Sequence, residues 1–472
     1  MTQSLLILFG TLVCFAPPAL GKMHNTQRLL YAAVDGAVEV YDIDAKHRHV
    51  RTIPVPDTRR VRGIAAHAGT KRLYVAHYGG QGEGTQGTGE LLALDLVSGK
   101  LAWKLQLVPS VDRMAVTPDG RFLYMPAGED VNATHWFVID AAAGKEIGRI
   151  QFATRSHNTI ASLDGKHVYL SSRRSPYLAV VDVATHKIVK EVGPFTHNIR
   201  PFVVNGRNTL AYVNVDGLNG FEVGSIVSGR KLMRVEVSGF PIHDPNMGNS
   251  HGVALSPDET QVWVADWVYN YVHVFDVTAL PPRQLVSIPV TPTRTSGPLW
   301  VNFNLDGRFV YSSTGEVFDA KTRKVAARIV ESRFVLEVQL AKGVPVRVGD
   351  QFGVGRVTRA PAPKDLPTAA IAAPTAGATF AKKDSVPIDV KVTTTRKMFR
   401  VELYAKAVRR AATGDLVPQG ERRRIRLMEL ATAPYQASWK HYGPGLYTIT
   451  AEVTDDRGEV ATSPPVEITV AP

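Results

Sequence analysis

Asp112, His157 and His251 hold one position in three copies of a repeat, six residues before the Pro, or its equivalent, of a Pro-Asp-Gly turn. Val61, Asn198 and Leu299 hold it in three more copies. Four of the six are polar in strands that are otherwise apolar, and Arg113, Asn158, His197 and Arg200 stand beside them. Two imidazoles and a carboxylate suffice to hold a divalent metal while leaving positions open for water or substrate. Without a metal, the same set makes a polar small-molecule site. A third reading is structural: Ser156-His157-Asn158, Thr196-His197-Asn198 and Ser250-His251-Gly252 put each imidazole at a strand start, where it satisfies neighbouring backbone groups. His243-Asp244 lies in a Pro- and Asn-rich loop, 240–250, that could overhang these residues, although Asp244 there suits a turn.

The elements that must position these side chains are set by a phrase repeated seven times between residues 28 and 330. Each copy has an aromatic residue in an apolar strand, namely Tyr31, Tyr74, Tyr124, Tyr169, Tyr212, Trp263 and Tyr311. A second strand follows and ends hydrophobic-Asp-hydrophobic at Asp42, Asp95, Asp140, Asp182, Asp276 and Asp319; the fifth copy reads Phe221-Glu222-Val223 instead. A period of roughly 43 to 51 residues made only of short strands and turns is that of a β-propeller blade. Turns such as Pro118-Asp119-Gly120 and Leu305-Asp306-Gly307 alternate with a second class, Ser98-Gly99-Lys100 and Ala143-Gly144-Lys145, which predicts four strands per blade. In a propeller the innermost strands line a central channel and their first residues face one mouth, which is how the positions counted above could meet. The first copy lacks an innermost strand, and the strand at 333–340 is expected to supply it and close the ring.

The stretches GIAAHAGTKRLYVA, MAVTPDGRFLYM, HGVALSPDETQVWVAD and VNFNLDGRFVYSS resemble the YVTN-type propellers, relatives of bacterial surface-layer and periplasmic proteins. These overlap in fold with propeller lactonases and with the heavy subunit of quinoprotein amine dehydrogenases. The resemblance implies a seven-bladed propeller over 24–357 and no particular activity, because the residues that carry it are structural. An Ala/Pro-rich linker is expected at 358–372. Beyond it, residues 373–472 resemble the bacterial Ig-like modules of secreted enzymes and adhesins, which implies a small β-sandwich that spaces, anchors or binds. Its insert carries Arg409, Arg410, Arg422, Arg423, Arg424 and Arg426, either a solvated loop or a contact for an anionic surface.

Residues 1–21 are uncharged and contain the apolar run Leu5 to Ala16, which predicts an export signal rather than a membrane span. Cys14, the one cysteine, lies inside it, so the mature chain is expected to have no thiol, disulfide or thiolate metal site. A net charge of +12 reads as a basic surface or as attraction to an anionic polymer or an acidic partner. Export and the lack of a recognition motif argue against nucleic acid. The glycine-rich 79–89 lacks the Gly-Lys-Ser/Thr of a phosphate loop, no Gly-x-Ser-x-Gly elbow occurs, and no Cys-x-x-Cys-His haem attachment is present.

The expected function is therefore an exported binding or scaffold propeller, periplasmic or extracellular. Its ligand site at the channel mouth would comprise Asp112, Arg113, His157, Asn158, His197, Asn198, Arg200 and His251. Partners would be a small molecule, a protein or an anionic cell-surface polymer. No cofactor is predicted, apart from a divalent metal that Asp112, His157 and His251 could hold. The competing class is a propeller enzyme, a lactonase-like hydrolase or metal-dependent oxidase, working with the same cluster.

Overall fold

The computed structural model describes residues 26–78, 87–293, 297–419, 424–440 and 443–472. The expected export signal with Cys14, most of the glycine-rich stretch, and Arg422 and Arg423 lie outside the described residues. The architecture is all-β: seven sheets form a propeller and two more form a sandwich behind it. The second blade shows the pattern, with antiparallel strands Arg59–His67, Arg72–Tyr78, Gly89–Asp95 and Leu101–Leu107 running from the channel outward.

The repeated aromatics weld blade to blade. Tyr31, Tyr74, Tyr124, Tyr169 and Trp263 are fully buried. The Tyr31 hydroxyl donates to Leu96 O of the second blade at 3.0 Å, and the Tyr124 hydroxyl lies 2.7 Å from His186 Nδ1 of the fourth. The repeated Asp caps the turn after its strand: Asp95 Oδ1 accepts from Ser98 N at 2.7 Å, Asp140 Oδ1 from Ala143 N at 2.8 Å and Asp182 Oδ1 from Thr185 N at 2.8 Å. The next turn residue needs a left-handed backbone. Gly144 has φ +62°, and a Cβ there would lie 2.5 Å from the Trp103 ring, so the position admits only glycine.

In the fifth blade the capping place is taken by Ser225, whose Oγ accepts from Ser228 N at 3.1 Å. Glu222, read from the sequence as the equivalent of the repeated Asp, is instead a buried mid-strand residue that accepts from Thr196 N and Oγ1.

The ring closes through Val335–Ala341, which pairs antiparallel with Thr26–Val34 and sets Leu336 opposite Tyr31. Across the seam Leu30, Ala32, Tyr41 and Ile43 pack on Phe309, Tyr311 and Val317 of the seventh blade. Arg28 adds ion pairs to Asp306 at 2.5 Å and Glu337 at 3.6 Å. One further strand was not anticipated: Val344–Val348 pairs inside the closing strand and makes the first blade five-stranded.

The sandwich begins at Thr368, not 373. Strand Thr368–Ala373, all but its last residue within the expected linker, pairs with Val386–Thr393, which in turn pairs with Tyr435–Trp439. Its alternating burial, half-buried at every second residue, marks a strand with one face on a core. The opposite sheet is built on Met398–Arg410 and Gly445–Asp455, and Val386, Ile388, Leu403, Trp439, Ile449 and Ile468 fill the space between the sheets.

Candidate functional site at the channel mouth

The inner strands do not enter the mouth as regular ladders. Pairing is irregular between Ser156 and Thr159, between Ile199 and Phe202, between Ser250 and Val253, and twice between Arg59 and Gly63. A bulge at a strand end breaks strict alternation, so consecutive side chains can both turn toward the axis. His157 and Asn158 are accordingly both fully buried, as are Asp112 and, at 2 % exposure, Arg113.

Asp112 and His157 meet directly, with Asp112 Oδ2 at 2.8 Å from His157 Nδ1. The other carboxylate oxygen, Oδ1, accepts from Arg62 Nη2 at 3.0 Å. That same nitrogen donates to Glu129 Oε1 at 2.5 Å, and Arg173 Nη1 reaches Glu129 Oε2 at 3.1 Å. Burial alone would raise the Glu129 carboxyl, but His157, Arg62 and Arg173 outweigh it and hold the group well below the usual carboxylate range.

Arg113 crosses the mouth. Its guanidinium lies 3.6 Å from the centre of the Trp300 ring and 4.6 Å from that of Phe334. The closest carboxylate oxygen, Asp112 Oδ1, is 3.7 Å away, and Arg113 makes no side-chain hydrogen bond among the described residues. Burial, opposed by Asp112 and reinforced by Arg62, pulls its pKa down to about 9. His251 stands edge-on to Trp300 at 5.2 Å and to His157 at 6.3 Å between ring centres, and its Nδ1–H donates to Leu299 O at 3.2 Å. Burial and then the Arg200 and His157 charges push its pKa well below the usual histidine value, so the ring is neutral.

Arg200 forms a neighbouring pair with Asp216 at 2.5 Å. His197 lies on the exposed rim, 4.0 Å from Asp216, and Asn198 enters through its carbonyl, which accepts from Asp216 N at 3.0 Å. Of the eight residues predicted from sequence, Asp112, Arg113, His157, Asn158 and His251 thus form one contiguous group, with Arg200 alongside and His197 and Asn198 at its edge. Arg62, Glu129, Arg173, Asp216 and Trp300 were not predicted. Arg62 and Trp300 immediately follow the counted positions Val61 and Leu299, so the signal was one residue away.

Asp112, Glu129 and His157 are the described residues that could jointly hold a metal, their ligand atoms lying within 4.8 Å of one another. Glu129, not His251, completes the set. Arg62 already bridges the two carboxylates as a cation would, and an ion bound there would have to displace it. Four polar atoms in the group are buried without a partner: Arg62 Nε, His157 Nε2, Asn158 Oδ1 and Asn158 Nδ2, the last three on adjacent residues.

Beneath the mouth, the chain that follows the extra strand runs through the axis. Gln351 Oε1 accepts from Ile64 N, Asp350 O from Asn302 Nδ2 and Gly353 O from Leu255 N, while Gly355 N donates to Val204 O. Four different blades are thereby tied to one segment. A cavity of about 380 Å³ remains at that far end, lined by Ala66, Val116, Leu163 and Val348 among others. At the near end a cleft of about 830 Å³ shares Arg62 and Phe334 with the polar group and adds Tyr78 and Arg333.

Residues 367–451 match the family model of a bacterial Ig domain. Among solved structures the chain is similar to hydrazine synthase of Kuenenia stuttgartiensis, with a TM-score of 0.47 and 15 % identity over 63 % of this chain and 90 % of that one. No curated protein matches the sequence. Among the described residues no helix is long and apolar enough to cross a membrane.

Proposed function

We propose that the chain is an exported β-propeller binding protein that takes a small polar ligand at the channel mouth, with the Ig-like module as spacer or second contact. The observation that supports this best is the trio of orphaned atoms, His157 Nε2 and the two polar atoms of the Asn158 amide. Buried polar groups are almost always paired, so three unpaired ones on adjacent residues call for an external partner. The test is thermal-shift screening of the full chain against small polar solutes. A binding solute should raise the melting temperature of the wild type and lose that effect in Asn158→Leu. Absence of any binding solute, or binding untouched by both Asn158→Leu and His157→Gln, would overturn the proposal.

A hydrolytic reading is favoured by one feature of the same group. A buried carboxylate that orients a histidine through Nδ1 and leaves Nε2 open is the arrangement of a general base. Turnover of simple esters or lactones, lost in His157→Gln, would carry that reading forward.

A further inference from the structure

Resting on the binding reading above, we propose that the mouth selects a hydroxycarboxylate, with the acid group on the edge of Arg113 and a hydroxyl hydrogen-bonded to His157 Nε2.

Arg113 specifies the acid. Its guanidinium packs against the Trp300 and Phe334 rings, which cannot accept along its N–H edge, and that edge makes no hydrogen bond among the described residues. The carboxylate beside it is already engaged, since Asp112 accepts from Arg62 and lies against His157. A buried cation with an unused planar row of N–H donors is costly, and a ligand carboxylate matches that row with two parallel bonds. The surroundings carry a small positive excess: Arg62, Arg113, Arg173 and Arg200 face Asp112, Glu129 and Asp216, while in the adjoining cleft Arg60, Arg155 and Arg333 balance Asp35, Asp130 and Glu331.

His157 specifies the hydroxyl. Nδ1 of the ring is taken by the Asp112 carboxylate at 2.8 Å, which leaves Nε2 as the ring nitrogen available to a ligand. Nε2 is buried and unused, and a hydroxyl, which both donates and accepts, can satisfy it. Asn158, bridged to Arg113 through the backbone and with both donor and acceptor free, can read a second hydroxyl. A neutral polyol would leave Arg113 unpaired, whereas a simple fatty acid would leave His157 and Asn158 unpaired.

Isothermal titration of the full chain with three acids, glycerate, tartrate and glucuronate, against propionate, glycerol and glucose tests this. At least one hydroxy acid should bind roughly tenfold or more tighter than the control lacking its carboxylate and the control lacking its hydroxyl. Arg113→Gln should erase the preference over glycerol or glucose, and His157→Phe the preference over propionate. Because the ligand comparison is made on the wild type, it stands even if a variant fails to fold. An oligoglucuronate in parallel distinguishes a free acid from the acidic end of a polysaccharide: tighter binding of the oligomer assigns the polymer. Equal binding of glycerol or glucose would overturn the acid, and equal binding of propionate the hydroxyl, leaving the binding reading intact. Binding of other solutes with none of these acids would overturn the class alone, and no solute binding at all would bring down both.

Discussion

The side-chain amide of Gln351 donates to the carbonyl of Met114 at 2.7 Å, although the two residues are 237 positions apart. Its oxygen accepts from Ile64 N at 3.2 Å, so one buried side chain clamps the second and third blades from within the channel. The stretch after the closing strand is therefore an internal brace of the ring.

Gln351→Leu should keep the fold and lose stability. The substitution leaves the Ile64 N–H and the Met114 carbonyl buried without partners, each costing about 1–3 kcal/mol. Urea denaturation should show a lower midpoint at an unchanged m-value. An unaltered midpoint would show that water takes over both bonds.

Acid should loosen the ring at its seam. His47 of the first blade packs edge-on against Phe309 of the seventh and lies 3.2 Å from the Tyr311 hydroxyl. Burial, helped by Arg28 and Arg308 and opposed by Asp42, lowers its pKa to about 4. A folded value below the unfolded one means that the unfolded chain binds the extra proton, so this contribution is complete above pH ~6.5 and is lost as pH falls toward 4. It amounts to something on the order of 3 kcal/mol. His47→Gln should flatten the pH dependence of stability between those limits, and an unchanged slope would rule the residue out.

The ring was legible because its repeat is carried by residues with one local duty each: an aromatic that fills the gap between blades and an Asp that caps a turn. The closing strand was legible by the same bookkeeping, as a strand missing at one end and spare at the other. Val344–Val348 and the axial segment were not, because PVRVGDQFGVG has neither clean alternation nor a repeat and owes its place to contacts with four distant blades. The mouth was half legible. Counting back from the turns finds Asp112, His157 and His251, but a bulge brings in Arg62 after Val61, and Trp300 enters from just before its strand. Glu129 comes from a loop that obeys no repeat.

Arginines should hold the sandwich to the propeller. Arg230 of the fifth blade donates to Glu402 at 3.1 Å and to Glu452, and Arg207 pairs with Glu459. In return Arg400 Nη2 of the sandwich reaches Leu232 O at 2.5 Å. Removing Arg230 takes away the propeller's partner of both carboxylates, which keep only Arg424 and Arg426 of their own domain, a loss of about 1–2 kcal/mol across the interface. Protease nicking near 358–367 should leave the wild-type pieces associated on gel filtration, while Arg207→Ala with Arg230→Ala should separate them. Separation of the nicked wild type would mean that these pairs contribute little.

Asp112 should set the tautomer of His157, and this can be observed directly. Asp112→Asn keeps the shape but offers an NH₂ group on one side. That group must turn toward either Arg62 or the His157 N–H, and both are donors. The least costly outcome points the amide nitrogen at His157, which moves the ring proton from Nδ1 to Nε2. The variant should lose about 2–4 kcal/mol of stability, because Arg62 and Glu129 are then left to balance a buried site short of one negative charge. The ¹⁵N shifts of the His157 ring should report the switch, and any ligand that donates to Nε2 should bind roughly tenfold more weakly or worse. For the same reason, His157→Ala combined with His251→Ala should destabilise the unliganded protein, since it strips a partner from a carboxylate that is 0 % exposed. An unchanged ring tautomer in Asp112→Asn would show that something other than this carboxylate orients the histidine.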